Sequence, residues 1–140
     1  MQVVLDLREK ELEERQMEMA KIVAALNAQQ EKLQGIFQAQ ENNTQQMETL
    51  YSTETLDISQ IESHRAFGIK LIQDAKNQER IIANTQNILK MKQKEVKEAY
   101  QKVETLKKLK EKQEKEYYQE FLRTETKEID DITSARYKIG

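Results

Sequence analysis

Apolar residues recur at alternating steps of three and four along the first third of the chain, and this spacing constrains the fold more than any other feature. Between Leu5 and Leu50 most positions of the stripe are Leu, Ile or Met, whereas the intervening positions are mainly Glu, Gln and Lys. A second stripe runs from Leu71 to Leu106 and then shifts phase toward Tyr118 and Ile129. A seven-residue repeat of this length is typical of helices that pair as coiled coils.

The convincing break between the stripes is the Ser-, Thr- and Asp-rich stretch at 51–60. It predicts a turn, after which Asp57 or Ser59 can cap the next helix, with Gln60 or Glu62 completing a capping box. We therefore predict one helix over about 2–52, a turn over about 53–57 and a second helix over about 58–138. The predicted fold is all-α: a single antiparallel coiled-coil hairpin over 1–140.

The two predicted helices differ in length, at roughly 75 and 120 Å. Antiparallel packing about the turn places each residue opposite a partner whose number is about 109 minus its own, so that Leu5 lies near Glu104. Residues beyond about 110 then project as an unaccompanied helix. The apolar and aromatic residues of that projection are Tyr117, Tyr118, Phe121, Leu122, Ile129, Ile132 and Tyr137. So much apolar surface predicts a partner.

The middle of the first stripe is polar. Gln40 and Asn43 occupy core positions, and they are predicted to face residues near 66–69, which include Gly68. Polar core residues and a glycine inside a helix both lower stability. Two interpretations stay open: simple tolerance close to the end of a hairpin, or a hairpin tip loosened for docking.

Composition excludes most enzymes and receptors. The chain has no Cys, Pro or Trp, 34% of its residues are charged and 37% are apolar. This is too little apolar surface for a thick core, and without Cys there is no disulfide or thiolate zinc site. His64 is the only histidine, so no metal site, catalytic site or cofactor is predicted.

Charge is unevenly distributed. Residues 1–60 carry eleven acidic and five basic side chains, whereas residues 90–116 carry ten Lys and six Glu. An acidic first arm opposite a partly basic second arm favours one orientation of the hairpin. The Glu residues among the Lys argue against nucleic acid as a partner.

Three segments carry a resemblance to a known family: VLDLREKELEERQ at 4–16, DISQIESHRAFGIKLIQDAKNQ at 57–78 and LKKLKEKQEKEYYQEFLRTETKEIDDITSARY at 106–137. Taken in this order, they resemble the FliJ family, small proteins of the bacterial flagellar type III export apparatus. The resemblance implies a non-enzymatic central stalk, like that of a rotary ATP synthase. Implied partners are the hexameric export ATPase, the cytoplasmic domain of the export-gate membrane protein and export chaperones. The implied location is cytoplasmic, at the inner face of the cell membrane.

The resemblance also suggests site residues. Family members carry an export-gate motif of aromatic, aliphatic and polar residues, which falls here on Phe67, Leu71 and Gln78, and Ile36 keeps an aliphatic family position. For the ATPase contact we predict the open end of the hairpin, namely Leu5, Arg8, Tyr117, Tyr118, Phe121, Leu122, Arg123 and Ile129. Family members usually begin a few residues earlier, so we expect this chain to lack an apolar and basic N-terminal lead.

Alternatives remain for both the residues and the function. Leu5 can equally pack against the second helix instead of a partner. The stalk interpretation predicts a monomer in solution that stimulates a partner's ATP hydrolysis. The alternative is a generic coiled-coil tether or homodimeric scaffold, in which the apolar C-terminal stripe pairs with itself.

Overall fold

Two long helices make up the computed structural model, which describes residues 1–139, with side chains for residues 1–136. Helix α1 spans Gln2–Ser52 and helix α2 spans Ile58–Ile139, and the five residues between them form the connection. The all-helical prediction is thus confirmed. The side chain of Tyr137, which was counted in the predicted apolar projection, lies outside the described residues.

Thr53 and Asp57 define the two helix ends at the connection. The Thr53 hydroxyl donates to the Leu50 carbonyl oxygen at 2.7 Å, which satisfies a carbonyl that the end of α1 leaves without a helical partner. At the start of α2 the Gln60 backbone N–H donates to Asp57 Oδ1 at 3.3 Å. Of the two predicted caps it is therefore Asp57 that caps α2, because Ser59 already lies inside the helix.

The chain divides into two compact units. The first, which we call the turn unit, comprises residues 15–96 and contains the connection. The second, which we call the terminal unit, comprises residues 1–14 and 97–140.

Contacts between α1 and α2 within the turn unit run in opposite chain directions. Asn43 bonds to His64, Gln29 bonds to Gln78, and Glu18 pairs with Lys92. Residues that come earlier in α1 therefore contact residues that come later in α2. The Asn43 amide also lies 3.1 Å from where a Cβ on Gly68 would stand, in agreement with the predicted proximity of these two positions.

The core of the turn unit is a narrow stripe. Leu71, Ala75 and Ile82 are its buried apolar residues, and they alternate with the buried polar residues Gln78 and Thr85. From α1, the predicted stripe positions between 15 and 50 are buried or half-buried except Arg15, which is exposed. The seven-residue spacing therefore identifies the helix faces that pack.

The terminal unit has a short core and a long exposed segment. Leu5, Ala99 and Val103 are buried, and the Lys110 ammonium donates to the Gln2 side-chain oxygen. Every residue from 111 to 136, which we call the tail segment, is exposed. The later stripe positions at 118, 122, 129 and 132 are thus on the surface of the described chain.

Candidate functional site

The tail segment presents a row of large apolar side chains to solvent. Tyr117 is 78% exposed, Phe121 50% and Leu122 42%, and the same holds for the others in the row: Tyr118, Ile129 and Ile132. Arg123, also a predicted ATPase-binding residue, is exposed, and its guanidinium lies 3.8 Å from Glu120 Oε2. Burial of such side chains contributes about 1.5–3 kcal/mol each, so this row is a source of binding energy that the described chain leaves unused.

The start of α1 lies close to the beginning of the tail segment. Met1, Gln2, Tyr117 and Tyr118 line one open groove. The two tyrosines therefore flank the start of α1.

Leu5 and Arg8 are placed differently from each other. Leu5 is 5% exposed and belongs to the core of the terminal unit, so the alternative in which it packs against the second helix describes its position. Arg8 is half-buried, and its Nη1 donates to Glu11 Oε2 at 3.0 Å. It also lines an open groove with Val4 and Leu106. In this conformation Arg8, but not Leu5, offers atoms to a partner.

The four predicted export-gate residues do not form one exposed patch. Phe67 is exposed, Ile36 is half-buried, and Leu71 and Gln78 are buried. The Gln78 amide donates from Nε2 to the Gln29 backbone oxygen at 2.9 Å, which joins α2 to α1. Phe67 is therefore the most exposed member of this set, while Leu71 and Gln78 pack between the helices.

A polar layer crosses the turn unit at Asn43, His64 and Gly68. Asn43 Nδ2 donates to the His64 backbone oxygen at 2.9 Å, and Asn43 Oδ1 lies 2.8 Å from His64 Nδ1, which acts as the donor in this arrangement. Because Gly68 has no side chain, the amide can approach α2 this closely. His64 therefore has a packing role that its isolation in the sequence did not indicate.

Four charged side chains form a network that sequence reasoning did not identify residue by residue. Lys92 Nζ lies 3.2 Å from Glu18 Oε2 and 3.4 Å from Glu95 Oε2, and Arg15 pairs with Glu18 at 3.3 Å and with Glu95 at 3.7 Å. The hydrogen bond from Lys92 lowers the pKa of Glu18, and the same bond raises the pKa of Lys92. Opposite charges three residues apart in each helix were the available signal.

The described part of the chain offers little for metal or membrane chemistry. Its residues include no cluster of His, Asp and Glu that could hold a metal ion. Among the same residues, no helix has a stretch long and apolar enough to cross a membrane. What the described chain does offer is exposed apolar and charged helix surface.

Comparison with known proteins gives one match. A family model described as "FliJ: Flagellar FliJ protein" matches residues 1–138. Neither a curated protein nor a solved structure matches the chain.

Proposed function

The chain belongs to the FliJ family, whose members are structural or adaptor proteins of flagellar export, and from this premise we propose that it is a central stalk of the type III export apparatus. In this proposal it promotes assembly and activity of the hexameric export ATPase without hydrolysing ATP itself. It also links that ATPase to the cytoplasmic domain of the export gate and to export chaperones, at the inner face of the cell membrane.

The proposal gives the molecule the form of an antiparallel coiled-coil hairpin from which the end of α2 projects into the ATPase ring. The observation that carries it is the tail segment, in which 26 consecutive residues (111–136) are exposed and Phe121 and Leu122 have large apolar surfaces without a cover. A helix with an uncovered apolar row is suited to insertion into a groove or channel of another protein.

Replacement of Phe121 and Leu122 by Ala tests the tail segment directly. Because both side chains are substantially exposed in the isolated chain, the double variant should keep its helicity and melting temperature. Activation of the export ATPase should fall at least about tenfold, since two buried apolar contacts are lost in the complex. If the variant instead unfolds, these residues belong to the chain's own fold and the proposal is wrong.

A matched control is available in the turn unit. Ile81 and Ile88 are 44% and 43% exposed on the same helix, so the I81A/I88A variant removes a similar amount of exposed apolar surface from a place outside the tail segment. ATPase activation by this control should match that of the unaltered chain. An equal loss in both variants would point to a general effect of surface hydrophobicity.

Sedimentation velocity separates the stalk from the homodimeric scaffold. The stalk proposal expects a monomer at micromolar concentration, because the tail segment is reserved for the ATPase. A stable two-chain particle, with an ATPase indifferent to it, would favour self-pairing of the tail segment.

The export-gate contact is proposed to centre on Phe67. Leu71 is buried, so its replacement by Ala would leave a cavity that costs about 2–5 kcal/mol and would confuse the result. Phe67→Ala alone should weaken binding to the cytoplasmic domain of the gate and spare ATPase stimulation. Loss of both activities together would mean that the two surfaces are not separate.

A further inference from the structure

The polar layer at Asn43 and His64 is the first of three polar pairs that join α1 to α2 in the turn unit. Successive pairs lie fourteen residues apart in α1 and fourteen residues apart in α2, which is two heptads in each helix. The two residue numbers of every pair add up to 107, so one register of the helices satisfies all three pairs. The pairs are Asn43 with His64, Gln29 with Gln78, and Arg15 with Lys92, of which the third is joined through Glu18 and Glu95.

Halfway between the first two polar pairs, the facing residues are apolar. Ile36 and Leu71 stand there, the first half-buried and the second buried, and their numbers add up to 107 as well. A slip of α1 along α2 by one heptad would place Asn43 opposite Leu71 in one direction, or Ile36 opposite His64 in the other. In either case polar groups between the helices would exchange their hydrogen-bond partners for aliphatic side chains, which costs free energy.

The connection between the helices places few constraints on this register. Residues 51–60 contain neither Gly nor Pro, and none of the described residues has a positive φ, so the backbone of the connection does not exclude a helix at any of its positions. In an antiparallel pair, a slip of one heptad needs the turn to move along the chain by only half a heptad. Single hydrogen bonds hold the turn where it is, among them the Asp57 cap and the bond from Thr53 to Leu50.

The polar pairs also have a cost in stability. Gln29 Oε1 is buried and has no hydrogen-bond partner among the described residues, so the second pair includes an unsatisfied acceptor. A polar residue in a helix seam selects one register at such a cost, whereas an entirely apolar seam packs about equally well in registers one heptad apart. The even spacing and the cost together indicate that these pairs serve alignment.

We propose that the polar pairs are a register lock, which holds α1 and α2 in the observed alignment and excludes alignments displaced by one heptad. The inference does not depend on the stalk function, because it concerns residues 15–96 alone. A slip by one heptad would move the residues of α1 about 10 Å along α2. It would thereby take apart the open groove that Asn43 and Thr44 of α1 form with His64 and Ile69 of α2. A partner that touches both helices of the turn unit therefore meets one fixed combination of residues.

The distance between two spin labels reports the register. The chain has no Cys, so K21C and K70C give two unique attachment sites at exposed positions of α1 and α2. In the observed register residue 21 faces about residue 86, so the labels stand about 24 Å apart along the helix axis. A slip that places Ile36 opposite His64 shortens this separation by about 10 Å. Double electron–electron resonance measures separations in this range.

The shift variant moves two polar residues of α1 by one heptad and leaves α2 and the composition unaltered: I22Q/Q29I/I36N/N43I. Its amides meet those of α2 only after the slip, so most molecules should show the shorter distance. The matched control adds the same move in α2, H64L/L71H/Q78T/T85Q, and should return to the distance of the unaltered chain. All three proteins are measured at about 500 mM salt, where screening weakens the pair of Arg15 and Lys92.

A shift variant that keeps the longer distance would show that the connection fixes the register, and the inference would be wrong. If circular dichroism shows that the shift variant has lost its helices, the matched control decides. Recovery of helicity and of the longer distance supports the lock, whereas a control that stays unfolded or keeps the shorter distance contradicts it. None of these results bears on ATPase activation by the tail segment, which is measured separately.

Discussion

Gly35 and Gly68 are glycines inside helices, but their surroundings differ. A Cβ on Gly35 would meet nothing within 4 Å, whereas a Cβ on Gly68 would stand 3.1 Å from Asn43 Nδ2. Gly35→Ala should therefore raise the free energy of unfolding by about 1 kcal/mol through helix propensity alone. Gly68→Ala should gain clearly less, because the amide must move from its bond to His64. Chemical denaturation of both variants measures this, and equal gains would contradict the close approach.

The Asn43 side chain takes part in both hydrogen bonds of the polar layer. Asn43→Ala removes both hydrogen bonds to the half-buried His64, and since each contributes about 0.5–1.5 kcal/mol the free energy of unfolding should fall by about 1–3 kcal/mol. Asn84→Ala is the matched control, because Asn84 is exposed on α2. A similar small change in both variants would mean that the polar layer contributes nothing to stability.

At the level of single residues, the sequence predicted which positions face each other but not which hydrogen bonds they make. The proximity of Asn43 to Gly68 was predictable because stripe position and turn position together fix the facing residues. The role of His64 was not, since a hydrogen bond across two helices depends on side-chain directions that spacing does not encode. Leu71 and Gln78 illustrate a second limit: they stand seven residues apart on the second stripe, which predicts the burial that is observed, whereas the family resemblance assigned both to a partner contact.

At the scale of the helices, one residue, Asp57, caps the start of α2. Asp57 Oδ1 accepts the Gln60 N–H, so Asp57→Ala should lower the free energy of unfolding by about 1 kcal/mol. Ser59→Ala is the control and should change stability little, because Ser59 lies within the first turn of α2. The reverse order of effects would show that Ser59 is the true cap.

The charge network joins α1 to α2 and makes stability depend on pH at both extremes. Since the folded state lowers the pKa of Glu18, its contribution is present above the ordinary carboxylate pKa and is lost as pH falls through the lowered value. Since the folded state raises the pKa of Lys92, that contribution is present below the ordinary lysine pKa and disappears as pH rises through the raised value.

Glu18→Gln tests the acidic side of this dependence. Between pH 7 and pH 3 the variant should lose less stability than the unaltered chain, because it no longer has the depressed carboxylate to protonate. Glu31→Gln, at an exposed position, should keep the steeper loss of the unaltered chain. If the free energy of unfolding falls equally with pH in all three proteins, Glu18 does not cause the acid dependence of stability.

The helices themselves were the most predictable part of the molecule. Their observed bounds, Gln2–Ser52 and Ile58–Ile139, lie close to those read from stripe spacing and from the break at 51–60. The stripe spacing and the break both depend on residues close together in the chain, so a single sequence is enough to place the helix ends. The pairing of Arg15, Glu18, Lys92 and Glu95 joins positions far apart in sequence, and charge asymmetry alone predicted only the orientation.

At the scale of the whole molecule, the unequal lengths of α1 and α2 connect fold to function. Helix α1 has 51 residues and α2 has 82. Residues 111–136 near the end of α2 are all exposed. The proposed function depends on this segment more than on any other.

The most direct test of the role of the tail segment is to titrate the chain into the export ATPase and measure ATP turnover. The full chain should raise turnover until about one chain is bound per ring. A chain ending at residue 110, shown by circular dichroism to keep its remaining helix, should leave turnover unchanged. Equal stimulation by the shortened chain would contradict the account, because the exposed end of α2 would then have no part in the contact.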